Sequence, residues 1–178
     1  QNYSVTCIVR KGSNTDLLPK NSNIIFIDYN NEKEIKKAFQ NHEILIHLAA
    51  KTKAMVQNKT KAKWTIIRPS SVYGPGDKDF LQYFRLTKKH LSPLVGFKKK
   101  YLSLIYVDEL TEFIAKTIGN EKAFNEIFFA SDGQIYCWED FATDLSRAIG
   151  TFAITFRIPE FLIKPFAAGK PKKHLSLV

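Results

Sequence analysis

The sequence predicts an α/β fold built on a doubly wound parallel sheet, with a small α/β lobe toward the C-terminus. Short continuous apolar runs, which are typical of parallel strands covered on both faces, alternate with segments whose apolar residues recur at helical spacing. At 178 residues and 44% hydrophobic content, the chain is long enough to bury a core. This alternation of strands and helices indicates the fold class.

The first part of the chain predicts a strand–helix–strand unit. Its strands are the β-branched or apolar runs at residues 5–10, 24–27 and 44–48. Asn30 and Asn31 can cap the intervening helix, whose inward residues are Ile35, Ala38 and Phe39. Parallel strands joined through such a helix predict a right-handed crossover.

The second part continues the alternation. Further strands are predicted at residues 64–68, 102–107, 127–130 and 152–158. Helices are predicted at residues 80–91, from a cap at Asp108 to Gly119, and at 138–150, with a last apolar helix beginning at Pro159.

The strong positive charge raises the question of nucleic-acid binding. There are 27 Lys and Arg residues against 17 Asp and Glu residues, which gives a net charge of +10. The cations form short clusters without zinc-finger spacing or an aromatic RNA-binding signature. A solvated lysine-rich surface is therefore favoured, and we do not expect a nucleic-acid partner.

Cysteine content and hydropathy exclude several other classes of protein. Cys7 and Cys137 lie too far apart to indicate a disulfide framework or a zinc site, and predict reduced, half-buried thiols. Charged residues or Pro interrupt every apolar run, so we expect no membrane span. Residues 1–4 lack the features of a signal peptide. These observations predict a cytoplasmic protein without a metal site.

Four segments stand in a characteristic order along the chain. They are Val9-Arg10 with Ser13-Asn14, Phe26-Ile27-Asp28, His47-Leu48-Ala49-Ala50, and Arg68-Pro69-Ser70-Ser71-Val72-Tyr73-Gly74-Pro75-Gly76. Residues 103–110 and 125–138 follow them. In this order, the segments resemble the extended short-chain dehydrogenase/reductases, the NAD(P)-dependent epimerase/dehydratase family. The resemblance fades after Pro159 and implies a Rossmann-like fold that is incomplete in this sequence.

The resemblance also implies a domain organisation and an activity. A dinucleotide-binding domain would comprise residues 1–76 and 104–131, and a substrate-binding lobe would comprise residues 77–103 and 132–178. The implied chemistry is hydride transfer between a nicotinamide and a carbonyl, alcohol or nucleotide-sugar small-molecule substrate, as in oxidoreduction, epimerisation or dehydration. Residues 103–110 look most like the reductase and sterol-dehydrogenase-like branch. Since many relatives pair as dimers, a homodimer is compatible with the resemblance. The alternative is a non-catalytic relative that acts as a binding or regulatory module.

The candidate cofactor residues stand at the carboxyl ends of the predicted strands, where doubly wound sheets bind ligands. A cation after the second strand of such a fold can pair with a 2′-phosphate. Arg10, together with the neighbouring Lys11, therefore favours NADP over NAD. The alternative, that Arg10 is simply a solvated residue at the end of a strand, is equally compatible with the sequence.

Other cofactor contacts follow from the resemblance alone. Asp28 and Tyr29 would flank the adenine, although Asp28 can equally be a turn or capping carboxylate. Leu48, Ala49 and Ala50 would let the backbone approach the cofactor, although the two alanines can equally serve tight packing. Pro69, Ser70, Ser71 and Val72 would border the nicotinamide, and residues 73–76 would turn the chain toward the substrate.

Three features of a working member are missing from the sequence. The eight glycines show no G-x-x-G-x-x-G spacing for the pyrophosphate. The catalytic Tyr-x-x-x-Lys and its Ser/Thr partner are also missing. Tyr29 and Lys33 have the spacing of that motif, but they would lie at the adenine end of the cofactor crevice. We therefore interpret the match as coincidental and do not assign these residues as the catalytic pair.

These gaps predict that segments of the natural polypeptide are missing from this sequence. Junctions are expected near Ala54/Met55 and near Ala168/Gly169, and an intact mass of 20.4 kDa would contradict this hypothesis. In the substrate lobe, Lys88, Lys89 and residues 98–100 would suit a phosphorylated substrate. Solubility is the favoured explanation for these lysines.

Overall fold

A computed structural model of the protein describes residues 3–16, 18–48 and 61–163. These residues form two compact units. The first unit holds the described residues up to Ile67 together with Thr117–Phe128. The second holds Arg68–Lys116 together with the described residues from Phe129 onward. Both expected chain junctions lie outside the described residues.

Strands and helices alternate along the described chain, as the sequence predicts. In order they are β1 (Thr6–Arg10), β2 (Asn23–Ile27), α1 (Glu32–Phe39), β3 (Ile44–His47), β4 (Lys63–Pro69), β5 (Ser71–Tyr73), α2 (Lys78–Lys88), β6 (Leu91–Val95), β7 (Tyr101–Leu102), β8 (Leu104–Tyr106), α3 (Val107–Thr117), β9 (Glu126–Ala130), β10 (Tyr136–Cys137), α4 (Trp138–Ile149) and β11 (Ile154–Ile158). A 3₁₀ turn, Glu121–Ala123, precedes β9. The parallel pairs and intervening helices confirm the predicted α/β class.

In the first unit, β1 and β2 form a parallel pair in which Thr6 lies opposite Asn23 and Arg10 opposite Ile27. This register brings the carboxyl ends of both strands to one edge. A second sheet has the strand order β3-β4-β9, and its β3 and β4 are parallel.

Helix α1 connects β2 to β3 and covers the core of the first unit. As predicted, the Asn31 side chain caps it, accepting hydrogen bonds from the backbone N–H groups of Lys33 and Glu34. Its buried residues are the predicted Ile35, Ala38 and Phe39. They pack in one cluster with apolar residues of β2 and β4, because the i, i+3, i+4 spacing puts all three on one helical face.

The second unit contains three two-stranded sheets, helices α2 and α4, and nearly all of helix α3. β5 pairs in parallel with β8, β6 pairs in parallel with β11, and β7 pairs antiparallel with β10. Helices α2 and α4 contact each other and β6. The Ser92 and Leu94 side chains of β6 are buried.

Two of the predicted helix boundaries were wrong. The helix predicted to reach Leu91 ends at Lys88, and Leu91 begins a strand. At that end His90 has a φ of +65°, in the left-handed region that ends a right-handed helix. Helix α3 begins at Val107, so Asp108 lies in its first turn instead of capping it. There the carboxylate stabilises the helix through its dipole.

The two compact units are divided at other residues than the predicted domains, and the domain division at residues 1–76 with 104–131 and 77–103 with 132–178 stays a prediction. Residues 160–163 are helical after Pro159, and the continuation lies outside the described residues. Cys7 and Cys137 are both half-buried and free, as predicted. Over the described ranges, no helix has the length and hydrophobicity needed to cross a bilayer.

Candidate functional site

Two regions bring candidate functional residues together, one in each unit. The first is the strand end of the β1–β2 pair, where the predicted Arg10, Lys11, Asp28 and Tyr29 follow one another on neighbouring strands. The Arg10 side chain is exposed and has no hydrogen-bond or ion-pair partner among the described residues, while the Arg10 backbone carbonyl accepts from the Ser13 N–H at 3.0 Å. Its guanidinium is therefore available to an anion.

Glu34 organises the rest of this strand end. Its carboxylate accepts from the Lys11 ammonium at 3.0 Å, the Asp28 backbone N–H at 2.8 Å and the Asn31 amide at 3.1 Å. These bonds, with that from the Asp28 backbone first, lower the pKa of Glu34 below its ordinary value. Lys11 is thus already engaged, whereas Arg10 is not.

The Asp28 and Tyr29 side chains make local contacts at this edge. An Asp28 carboxylate oxygen accepts from the Asn30 backbone N–H at 2.9 Å, which stabilises the turn before α1. The Tyr29 hydroxyl donates to the Ile8 carbonyl at 3.3 Å, and burial raises the pKa of its phenol. Leu48 is half-buried at the end of β3, and Ala49 and Ala50 lie outside the described residues.

The second region begins where β4 ends at Pro69. The Ser70 backbone N–H donates to the Ala130 carbonyl at 2.8 Å, and that of Ser71 donates to the Ser103 carbonyl at 3.1 Å. The Ser70 hydroxyl is buried and has no hydrogen-bond partner within the described chain. A buried polar atom without a hydrogen-bond partner is uncommon in folded proteins, and it indicates a position where a ligand or a water molecule would bind.

An aromatic groove of about 520 Å³ follows this strand end. It is lined by Tyr73, Gly74, Pro75, Gly76, Asp77, Lys78, Phe80, Leu81, Phe84 and Tyr106. Tyr73 lies opposite Tyr106 in the β5–β8 register, with ring centroids 5.4 Å apart, and 6.1 Å from the Phe80 ring. Contacts with two neighbouring rings hold Tyr73 in place.

The turn at the groove requires glycine at its first position. Gly74 has φ +145°, and a Cβ there would lie 2.6 Å from the Val107 Cγ1 atom. Asp77 ends the turn and caps α2, accepting from the backbone N–H groups of Asp79 and Phe80 at 3.0 and 3.1 Å. The predicted turn toward a substrate is therefore a closely packed wall of the groove.

A second cavity of about 340 Å³ lies between α3, β8 and the segment after β9. Its carboxylates include Glu112, paired with Lys116 at 2.7 Å, and Asp132, which accepts from the Tyr136 hydroxyl at 2.6 Å. The bond to Asp132 raises the pKa of Tyr136 to about 12. In the described ranges, no cluster of three or more His, Cys, Asp or Glu side chains could hold a metal ion.

Sequence reasoning missed three contributors to these regions. Glu34 is missed because its role depends on the fold bringing it to Lys11, 23 residues away. Tyr106 is missed because it reaches Tyr73 only through strand pairing. Asp77 could have been found, since an Asp just before a helical apolar pattern is a capping signal.

One curated protein is similar in sequence. UDP-glucose 4-epimerase of Vibrio cholerae is 31% identical over 103 residues, which are 57% of this chain and 31% of the relative. This match therefore covers about a third of that protein's length. No protein-family model matches the chain.

Solved structures are similar over most of the chain. The Thermotoga maritima UDP-glucose 4-epimerase with UDP-glucose has a TM-score of 0.65 at 14% identity, covering 88% of this chain and 78% of that one. The Thermus thermophilus UDP-glucose 4-epimerase with NAD has a TM-score of 0.59 at 12% identity, covering 93% and 86%. The Citrobacter sp. triphenylmethane reductase with NADP(H) has a TM-score of 0.63 at 15% identity, covering 94% and 75%.

The predicted resemblance to the extended short-chain dehydrogenase/reductases is confirmed. At these identities, the structural likenesses show the Rossmann-like fold of that family. Two of these structures, an epimerase and a reductase, are complexes with NAD and with NADP(H), and the comparisons do not favour the non-catalytic alternative. The comparisons do not determine a preference between NAD and NADP.

Proposed function

We propose that the protein is an NAD(P)-dependent oxidoreductase or epimerase that transfers hydride between a nicotinamide and a carbonyl or alcohol substrate. The observation that carries this proposal is the buried Ser70 hydroxyl at the carboxyl end of β4, which has no hydrogen-bond partner in the described part of the chain. A buried hydroxyl without a partner is unfavourable by about 1–3 kcal/mol. A ligand with a polar group at this position would remove that penalty.

Two proposed cofactor residues are assigned to parts of a nicotinamide dinucleotide. The Arg10 guanidinium, which has no partner among the described residues, would pair with the 2′-phosphate of NADP, and a cation at this position supports NADP over NAD as the preferred cofactor. Ser70 would donate to or accept from the nicotinamide portion. When bound, the nicotinamide supplies the hydride acceptor or donor. No described residue is assigned to the pyrophosphate.

The other proposed cofactor contacts are those that the resemblance implies. They are Lys11, Asp28, Tyr29, Leu48, Ala49, Ala50, Pro69, Ser71 and Val72. Among them, Lys11 is expected to contribute less than Arg10, because its ammonium is already bound by Glu34. We assign no catalytic tyrosine or lysine: the Tyr29 hydroxyl donates to a backbone carbonyl and its phenol packs against the core.

Binding of the cofactor tests the proposal. Calorimetric titration is expected to show NADPH binding, about tenfold weaker in Arg10→Ala, because a charge-assisted bond contributes about 1.5–3 kcal/mol. NADH binding should not change in that variant. Lys33→Ala, which removes an exposed cation in α1, is the matched control and should leave both affinities unaltered.

Ser70→Ala separates an effect on nucleotide binding from an effect on stability. Removing an unsatisfied buried hydroxyl should leave the free energy of unfolding unchanged or increase it by about 1 kcal/mol. The same change should weaken binding of both NADPH and NADH. If Ser70→Ala bound both nucleotides as the parent protein does, or if the parent bound neither, the proposal would be wrong.

The proposal includes a small-molecule substrate, a cytoplasmic location and assembly as a homodimer. Sedimentation equilibrium of the full chain measures the last of these: a mass of twice the monomer is expected, and a monomer mass would contradict it.

A further inference from the structure

The aromatic groove identifies the chemical class of its occupant. Its volume of about 520 Å³ suits a ligand with two or three rings. Tyr73, Phe80, Leu81, Phe84 and Tyr106 supply most of its wall. Such a surface favours flat apolar groups, which can stack on or meet the edges of its rings.

In the described lining of the groove, backbone N–H groups that could hold a phosphate are already bonded. A helix N-terminus binds anions through its free backbone N–H groups, and α2 begins at the groove. Here, however, the Asp77 carboxylate already accepts from the N–H groups of Asp79 and Phe80. The helix end is therefore satisfied, and its cap carries a negative charge that would repel a diphosphate.

The lysines of this unit do not compensate for that charge. Lys78 is the one cation in the described lining. The exposed Lys88, Lys89, Lys98 and Lys99 are not part of the lining, and Lys100 pairs with Glu160 at 2.8 Å. Asp77 and Lys78 together leave the lining close to neutral.

The electrostatic potential at the Tyr73 end of the groove is also unfavourable for an anion. Burial raises the pKa of Tyr73, and the negative charges of Glu109 and Asp132 raise it further. The phenol therefore stays protonated near neutral pH and can act as a hydrogen-bond donor. The phenols of Tyr73 and Tyr106 are the uncharged hydrogen-bonding side chains of the described lining.

We propose that this groove binds a neutral, ring-bearing carbonyl compound or alcohol and discriminates against nucleotide diphosphate sugars. The chemistry of the bound compound rests on the proposed hydride-transfer function. Shape and polarity alone determine binding: the ring system packs against Phe80 and Phe84, and a neutral phenol donates to the oxygen. This substrate class differs from that of the UDP-glucose 4-epimerases with the same fold.

Calorimetric titration of the full chain with two probes tests the proposal. The neutral bicyclic ketone 1-tetralone is expected to bind, and UDP-glucose is expected to bind at least tenfold more weakly. Phe84→Ala should weaken 1-tetralone binding by roughly tenfold, because it removes a ring from the wall. Phe97→Ala is the matched control, since Phe97 is 70% exposed and does not line the groove.

A second variant tests the same proposal in case Phe84→Ala does not fold. Leu81 is 43% exposed, so Leu81→Lys should leave the fold intact while placing a second cation in the groove. This change should weaken 1-tetralone binding and strengthen UDP-glucose binding. If both variants bound 1-tetralone as the parent chain does, or if UDP-glucose were the tighter ligand of the parent, the proposal would be overturned.

NADPH titration of the same samples separates the two proposals. If NADPH binds and 1-tetralone does not, the substrate class is wrong and the proposed function stands. If 1-tetralone binds and NADPH does not, the groove chemistry is supported and the proposed function is wrong.

Discussion

The β1–β2 strand end and the aromatic groove both lie where parallel strands end, yet they differ in almost every physical property. The first is exposed and charged, with Lys11, Glu34 and Asp28 linked by hydrogen bonds at 2.8 and 3.0 Å. The second is walled by aromatic rings, and its one carboxylate is used as a helix cap. Among the described residues, the Arg10 side chain has no partner at the first region, whereas at the second one lysine, Lys78, accompanies the Asp77 carboxylate and leaves the lining close to neutral.

This difference shows that the ends of parallel strands can present either a charged surface or an apolar one. Parallel strands bring their carboxyl ends to one edge, but the residues that follow decide what that edge can bind. After β1, a cation outside the Glu34 network is available to a phosphate. After β5, the tight turn at Gly74 and the capped helix leave an apolar wall, two neutral phenols, and the charges of Asp77 and Lys78, which offset each other. The two regions should therefore respond differently to substitution.

The largest expected effect concerns the rigid wall of the groove. Gly74→Ala would place a Cβ 2.6 Å from Val107 Cγ1 at a φ of +145°. Backbone strain and overpacking should together lower the free energy of unfolding by about 3 kcal/mol. Gly76→Ala is the matched control, with φ +94° and no atom within 4 Å, and should lose only about 1 kcal/mol. Urea denaturation measures both, and equal losses would mean that the turn is not packed as described.

A smaller effect is expected at the helix beside the polar strand end. Asn31→Ala removes the cap that accepts from the N–H groups of Lys33 and Glu34 at 3.1 and 3.4 Å. The free energy of unfolding should fall by about 1 kcal/mol, which is roughly 3 °C in Tm for a chain of this size. Asn30→Ala removes a neighbouring amide that does not cap α1, and should leave the Tm unchanged. A larger loss in Asn30→Ala would contradict the assigned cap.

The smallest effect is a change in pH dependence. The folded state lowers the pKa of Glu34, so the resulting stability is present above its ordinary value of 4.5 and is lost as pH falls through the lowered folded value. The Tm of Glu34→Gln should be slightly below that of the parent at pH 7, and this difference should shrink toward pH 3. Glu126→Gln, which changes an exposed carboxylate of β9, is the control. A Tm difference that grows on acidification would reverse the assigned sign.

The sequence was sufficient to predict the fold class and helix α1 with its cap, because both depend on local patterns. Apolar runs, the i, i+3, i+4 spacing of Ile35, Ala38 and Phe39, and a capping Asn are readable without tertiary contacts. The end of α2 was predicted too late, because the apolar helical pattern continued to Leu91 while the backbone leaves the helix at His90, which has a φ of +65°.

The chemistry of the two regions could be predicted only in part. Arg10 and Ser70 were predicted from strand ends and resemblance, but which of their atoms lack partners depends on packing. The Lys11–Glu34 ion pair and the Tyr73–Tyr106 contact join residues far apart in sequence, and both arise only when the strands pair in register. Patterns in a single sequence do not specify such contacts.

Hydrogen–deuterium exchange of the full chain, measured separately with each ligand, tests most directly whether the two regions recognise different chemistries. NADPH should slow exchange in residues 8–12 and 27–34, and 1-tetralone should slow exchange in residues 73–84. UDP-glucose should leave residues 73–84 unchanged. Protection of residues 73–84 by UDP-glucose but not by 1-tetralone, or no protection of residues 8–12 by NADPH, would contradict the account.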